Sequence, residues 1–290
     1  MKVAIYSREP RKEEVAFLST LSLLLTQKGH QVSFFHSLKT ILPNENTFFD
    51  KNQFHTAEKP DFIFSVGGDG TLLESAHIVE DSQIPIVGIN TGRIGFLTGV
   101  NKNDFEKAIT LLETGKFEIE NRSLLHIETD SEHHLPCHFA LNDITLHSTE
   151  GSYLSSIKVW LDGLKINTYW ADGLIIATPS GSTAYSLSCG GPIVSPCSQV
   201  NVITPIASHS LSVRPVVVPS DATLKISFDG RQKNFIVTID HFQTELLNAA
   251  KLTITKENFN INTVRFEDMD FFKVIREKLL WGVDKRNEEQ

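Results

Sequence analysis

The chain has 290 residues, enough for two domains of ordinary size, and its 40% hydrophobic content fits a soluble globular protein. A formal net charge of −8 without a long basic run disfavours binding along a nucleic-acid backbone, and no stretch approaches the roughly 20 apolar residues of a membrane span. The cysteines Cys137, Cys189 and Cys197 are odd in number and spaced unlike a disulfide framework, and Met1 to Tyr6 reads as strand instead of signal peptide, so a cytoplasmic location is expected.

From Lys2 to about Val100 strand and helix patterns alternate, as in a parallel sheet with helices on both faces. Lys2 to Tyr6 is the first strand. Val15, Leu18, Leu21 or Ser22, and Leu25 recur at helical spacing, with Gly29 where a C-terminal cap belongs. Strands follow at Val32 to Phe35, Phe62 to Val66 and Ile84 to Ile89. A helix is expected to open at Asn103, with Glu106 completing a capping box and Phe105, Ile109 and Leu112 inward, bridging the two halves. Beyond it the period changes to 2. Ile157, Val159 and Leu161 lead to Asp162-Gly163, and Leu224, Ile226 and Phe228 lead to Asp229-Gly230, both hairpin signals. With Ile236 to Ile239, Leu252 to Ile254 and Val264 to Phe266, residues 120 to 266 read as mainly β. A last helix, Met269 to Leu280, is expected to return to the N-terminal domain, ahead of the polar tail Glu288-Glu289-Gln290. The expected divisions are 1–100, 101–266 and 267–290.

The segment Gly67-Gly68-Asp69-Gly70-Thr71 directly follows the strand Phe62 to Val66 and precedes a helix opening near Thr71. Glycines at a strand end free the backbone to turn and approach a ligand, and N–H groups at a helix start attract phosphate. Asp69 is an anion in that cradle. It either takes a proton or holds a metal there, or the segment is an ordinary turn with a solvated carboxylate. A second segment, Asp172 to Pro192, again reads as strand, turn and helix start. Gly181, Ser182 and Ala184 admit a flat ligand, Tyr185 can stack on it, and Thr183, Ser186 and Ser188 supply hydroxyls, a composition that suits a nucleoside; hydroxyl capping of a helix with a core tyrosine is the other reading. Asn142-Asp143 combines an amide that can read a base edge with a carboxylate that can accept ribose hydroxyls, or it is a turn. His133, His134, Cys137 and His138 have no partner pair at a zinc spacing and read as a solvated loop. A G-x-x-x-x-G-K-[ST] loop is missing, and no G-x-G-x-x-G follows the first strand.

On these segments the chain resembles the NAD kinase family, within the larger group of diacylglycerol kinases, sphingosine kinases and phosphofructokinases. Further matches are Asn90-Thr91-Gly92-Arg93-Ile94-Gly95-Phe96-Leu97-Thr98, His209 to Pro215 and Phe271 to Gly282, in family order. The resemblance implies a Rossmann-like α/β N-terminal domain, a mainly β C-terminal domain, and a C-terminal helix packed back on the first. It implies transfer of the γ-phosphoryl of ATP to the 2′-hydroxyl of the adenosine ribose of NAD, with Asp69 as general base. Gly68, Asp69, Gly70, Thr71, Phe96, Asn142, Asp143, Asp172, Thr183, Ala184, Tyr185, Ser186, Leu187 and Ser188 are carried over as substrate contacts. Mg²⁺ is the implied divalent cation with ATP, its protein ligands unassigned, and a homo-oligomer, dimer or tetramer, is the implied assembly. Two departures stand out: the pair is more often Asn-Glu, so Asp143 is shorter by a methylene, and Trp170 stands where relatives often carry a basic residue. His209 and Arg214 are candidates for phosphate contact or for a structural role. A lipid kinase of the larger group and a non-catalytic nucleotide sensor are the rival readings.

Overall fold

A computed structural model describes residues 1–43, 45–92, 95–132, 134–149, 155–229, 233–267 and 270–281. Arg93, Ile94, His133, Gly230, Met269, Gly282 and the tail Glu288-Glu289-Gln290, all named above, lie outside the described residues. The chain divides into two compact units, Met1–Asn121 with the segment from Ile261 on, and Arg122–Asn260.

The first unit is built on a sheet with strand order Phe48–Phe49, Gln31–Phe35, Lys2–Tyr6, Phe62–Gly67, Ile86–Asn90, Ile261–Arg265 and Glu118–Arg122, with Val100–Asn101 also paired to Ile86–Asn90. The pairings from Phe48–Phe49 across to Ile261–Arg265 are parallel, as the alternating strand and helix pattern requires. Phe62–Gly67 and Ile86–Asn90 are buried along their whole length, which is why both read as continuous apolar runs. The helix Lys12–Gln27 opens on Glu14, whose Oε2 accepts the Arg11 N–H at 2.7 Å, and ends where Gly29 takes φ +80° and donates its N–H to the Thr26 carbonyl at 2.9 Å. Leu18, Leu21 and Leu25 on one side of it join Val3, Ile5, Phe34, Phe64, Val66 and Ile89 in the core.

Three expectations about this unit change. The helix Phe105–Glu113 follows Asp104, not Asn103, and its start has no side-chain cap, because the Asn103 N–H is drawn into a turn by Asn101 Oδ1 at 3.0 Å. That helix buries Phe105, Ala108, Ile109 and Leu112 in the first unit's core, so it belongs to one half and does not bridge two. Ile261–Arg265, read as part of the β domain, instead pairs with Ile86–Asn90 through Thr263 opposite Ile86, so the first unit extends past residue 100 to Asn121 and takes the chain back at Ile261. The last helix, Phe271–Leu279, starts after Asp270, whose carboxylate accepts the Phe272 N–H at 3.0 Å.

The second unit consists of two six-stranded sheets. One runs Val216–Pro219, Val200–Ile206, Gly173–Ala177, Asp143–Ser148, Asn234–Ile239, Phe242–Leu247; the other runs Leu164–Ala171, Ser155–Leu161, Leu224–Asp229, Lys251–Lys256, Leu125–Thr129, Phe139–Ala140. All pairings are antiparallel, and alternate residues of both sheets share one core, including Ile144, Leu146, Ile157, Val159, Leu224, Ile226, Val237 and Ile239. Asp162-Gly163 forms the expected hairpin, with φ +48° and +83° at the two turn residues. The strands flanking Asp229-Gly230 do not form one. They lie in different sheets, and Phe228 stacks on Phe235 with ring centroids 4.2 Å apart, a contact between sheets and not along a ladder.

The two faces of Lys12–Gln27 give a direct test. Leu21 is fully buried and Leu23 is 59% exposed. Leu21→Ala is expected to cost about 2–5 kcal/mol in chemical denaturation, whereas Leu23→Ala should change stability by less than about 0.5 kcal/mol. Equal losses would mean that this helix does not pack as described.

Candidate functional site

The residues singled out above fall into two groups, one in each unit. In the first, the strand Phe62–Gly67 ends on Gly67 at φ +156°, where a Cβ would overlap the Thr71 hydroxyl. Gly68 caps the helix Asp69–Val79, its carbonyl accepting the N–H groups of Thr71 at 3.0 Å and Leu72 at 3.2 Å. The helix therefore opens at Asp69, ahead of Thr71, and its first turn faces a carboxylate that favours its positive end. Gly68 and Gly70 are exposed and Thr71 is buried.

Asp69 is not an idle solvated charge. Its Oδ2 accepts the Phe96 N–H at 2.8 Å, and Oδ1 accepts the Leu97 N–H at 3.0 Å and both the N–H and the hydroxyl of Thr98 at 3.1 Å. Gly95 makes room for this, since a Cβ there would overlap Asp69 Oδ1. The Thr98 hydroxyl in turn accepts from the Asn90 amide at 2.8 Å, and Asn90 Oδ1 accepts the Gly92 N–H at 2.7 Å. Asn90 stands beside Gly67 in the sheet register. One network thus joins the carboxyl ends of two adjacent parallel strands, the usual place for a ligand in an open α/β sheet. From the last helix, the Lys278 ammonium lies 4.4 Å from the centre of the half-buried Phe96 ring and 4.0 Å from Asp69 Oδ2.

In the second unit, Asp143 opens the strand Asp143–Ser148 and is only 7% exposed. The Thr145 hydroxyl donates to its Oδ1 at 2.9 Å. Burial above all, and then the Asp240 carboxylate, push the Asp143 carboxyl up to about 7, against the opposing pull of the Thr145 bond. Asp240, at φ +53°, accepts the N–H groups of Leu141 at 2.8 Å, Asn142 at 2.7 Å and Asp143 at 3.2 Å, and so fixes the turn that carries the amide-carboxylate pair. Asn142 Oδ1 is a buried acceptor without a hydrogen-bond partner among the described residues. The Asn142 carbonyl accepts the Thr178 N–H at 2.9 Å, and a Cβ on Gly181 would overlap that carbonyl, so the glycine lets the hydroxyl-rich turn reach Asn142.

Along that turn Thr183 donates its hydroxyl to the Ser180 carbonyl at 3.1 Å, Ala184 and Leu187 are half-buried, and Ser188 is exposed. Ser186 is fully buried, with its hydroxyl 2.8 Å from that of Thr204, so it supports the short helix Tyr185–Ser188 from within. Tyr185 is 41% exposed and stacks on His147 at 6.0 Å. Asp172 lies at the far end of the paired strands from Asp143, because Gly173 pairs with His147 and Ala177 with Asp143. It acts there on His147, partly offsetting the burial that lowers the affinity of this imidazole for protons. Arg214 donates to the carbonyls of Leu211 and Val213, a structural use within its own loop. Trp170 is half exposed, and its carbonyl accepts the His209 N–H at 3.0 Å. The small, weakly polar side chain of a cysteine suits a buried site, but Cys197 is exposed.

Four neighbours escaped the sequence: Asp240, His147, Thr204 and Lys278. His147 carried a signal, being on the same strand face as Asp143 and Thr145 by the period of 2, and Lys278 lies within the matching segment Phe271 to Gly282 without a role attached to it. Among the described residues no group of three or more His, Cys, Asp or Glu side chains gathers, so the donor set does not fit a protein-built cage for a divalent cation.

Residues 8–117 match the ATP-NAD kinase N-terminal domain, and residues 141–266 match the ATP-NAD kinase C-terminal domain. The chain is 36% identical over 295 residues to the NAD kinase of Cytophaga hutchinsonii, covering 99% of this chain and all of that protein. It is 39% identical over 294 residues to the NAD kinase of Christiangramia forsetii, with the same coverage of each chain. The fold is shared with yeast NADH kinase in complex with NADH, at a TM-score of 0.87 and 23% identity over 98% of this chain and 89% of that one. It is shared too with an Archaeoglobus fulgidus NAD kinase in complex with ATP, at a TM-score of 0.73 and 26% identity over 97% and 99%. With both domains matched in order and relatives aligned from end to end, the chain belongs to the NAD kinase family.

Proposed function

We propose that this NAD kinase moves the γ-phosphoryl of ATP to the 2′-hydroxyl of the adenosine ribose of NAD, releasing ADP and NADP, with Asp69 taking the hydroxyl proton. The observation that carries the assignment of the base is the uneven loading of Asp69. Its Oδ1 holds three donors, while Oδ2 holds one backbone N–H and a lysine at 4.0 Å, so Oδ2 is the oxygen left to accept a proton. An alcohol is a weak nucleophile at neutral pH, and a positioned base supplies ~10²–10⁴-fold. The exposed Gly68 and Gly70 at the start of Asp69–Val79 leave backbone room for phosphates, with Thr71 beneath them and Phe96 as an apolar wall.

The dinucleotide is assigned to the second unit. Asn142 Oδ1 is a buried acceptor in need of a donor, and the exocyclic amine of adenine supplies one. Asp143 is assigned to the ribose, Tyr185 to stacking, and Thr183, Ala184, Leu187, Ser188 and Asp172 to the surrounding wall. Ser186 acts by holding the turn through Thr204. A divalent cation, Mg²⁺, is assigned to the triphosphate itself, since no protein cage gathers among the described residues. For the assembly we assign a homo-oligomer in the cytoplasm; Leu164, Ile166 and Trp170, exposed large apolar side chains on one edge strand, support association.

Asp69→Asn should leave ATP binding largely intact and lower turnover of NAD by ~10²–10⁴-fold; turnover near that of the wild type would remove Asp69 as base. For Asp143, the folded carboxyl is pushed from its ordinary 3.8 up to about 7, so the folded chain holds the proton over a pH range where the unfolded chain has lost it. The stability this confers is complete below the lower value and is lost as pH rises through about 7. Urea unfolding of the wild type should therefore weaken from mildly acidic to mildly alkaline pH, and Asp143→Asn should flatten that trend. An unchanged trend in the variant would assign the titration to another group.

A further inference from the structure

We infer that Lys278 is a positioning residue of the phosphate site, its ammonium offsetting the charge of Asp69 so that a triphosphate can approach the glycine loop. This rests on the reading of that loop as the ATP phosphate site. A carboxylate beside a bound triphosphate repels it, and backbone N–H groups orient the carboxylate without cancelling its full charge. Among the described residues, Lys278 is the cation paired with Asp69, 4.0 Å from Oδ2, the oxygen assigned to the proton transfer. It does not hang free in solvent. Its ammonium sits 4.4 Å from the centre of the Phe96 ring, a cation–π contact that holds it, and the Phe96 N–H donates to the same Oδ2 at 2.8 Å. Phe96 therefore fixes both partners of the pair. The side chains of Lys278 and Asp69 are 29% and 31% exposed, open enough for a phosphate to reach the pair and covered enough for the charges to be felt. Lys278 comes from the last turn of Phe271–Leu279, so a helix distant in sequence tunes the glycine loop.

The test is a double-mutant cycle on ATP binding in the full chain, measured by calorimetry without NAD, with Lys278→Met and Asp69→Asn as the two sides. Methionine keeps an unbranched stem on Phe96 and removes the charge. Lys278→Met should weaken ATP binding about 3- to 10-fold when Asp69 is present, the scale of a half-exposed charge pair. In the Asp69→Asn background the same change should cost less than about twofold, because the ammonium then lacks the carboxylate that draws it to the loop. Lys278→Arg should restore binding, and Lys278→Gln serves as a second neutral replacement if the methionine variant does not fold. Equal loss in both backgrounds would show that Lys278 grips phosphate directly, and no loss in either would show that it is a bystander; both results overturn the inference. A wild-type chain that binds ATP but does not phosphorylate NAD would overturn the kinase assignment alone, with the cycle still deciding on Lys278.

Discussion

Each group of site residues depends on a carboxylate that collects backbone N–H groups. Asp69 gathers Phe96, Leu97 and Thr98, and Asp240 gathers Leu141, Asn142 and Asp143. Three consecutive amides converge on a point only when the backbone bends sharply, so the carboxylate determines the loop's shape as well as satisfying its donors. Hydrogen bonds to a charged acceptor are worth roughly 1.5–3 kcal/mol each, against about 1 for a neutral pair. Truncation of either side chain to alanine would therefore leave several donors without a partner, whereas asparagine at position 69 keeps one oxygen able to take the three donors that Oδ1 now holds. In the first unit this constraint carries a second burden. The carboxylate that shapes the loop is also the proposed base, and the loop leaves Oδ2 the less occupied oxygen by directing three of its four donors to Oδ1.

The two carboxylates named as site residues live under opposite conditions. Asp69 is met by four hydrogen bonds and a nearby ammonium. Asp143 has the Thr145 hydroxyl and a second carboxylate close by, and burial makes it reluctant to ionise. The short side chain of Asp143 has a local consequence. A shorter side chain keeps its oxygens near the strand, where Thr145, two residues on and on the same face, can reach Oδ1.

The parallel sheet, the antiparallel unit and the glycine loop were legible in the chain because each rests on local patterns: alternation, continuous apolar runs and glycines at a strand end. Ile261–Arg265 was misassigned for the reason that such patterns state only that a strand exists. Its apolar positions would suit either unit, and only its pairing with Ile86–Asn90, far away in sequence, decides. Asp229-Gly230 failed differently. The dipeptide favours a tight turn, but the strands on its two sides belong to different sheets, and Phe228 stacks on Phe235 across the shared core. The three N–H partners of Asp240 lie about a hundred residues away, beyond what a local pattern can encode.

Lys278 shows the same limit most sharply. It lies in the last turn of a helix with Arg276, where basic residues are expected simply because they suit the carbonyl end of the helix dipole. Nothing in the spacing separates a lysine that serves the helix from one that serves a distant carboxylate. The distinction comes from Phe96, whose ring catches the ammonium and whose N–H holds the oxygen that the ammonium faces. The family resemblance implies Phe96 as a substrate contact, and an apolar wall would only limit space. In the fold its backbone and its ring act on the two members of one ion pair, so its substitution by a small residue would disturb the charge balance at Asp69 as well as the shape of the loop.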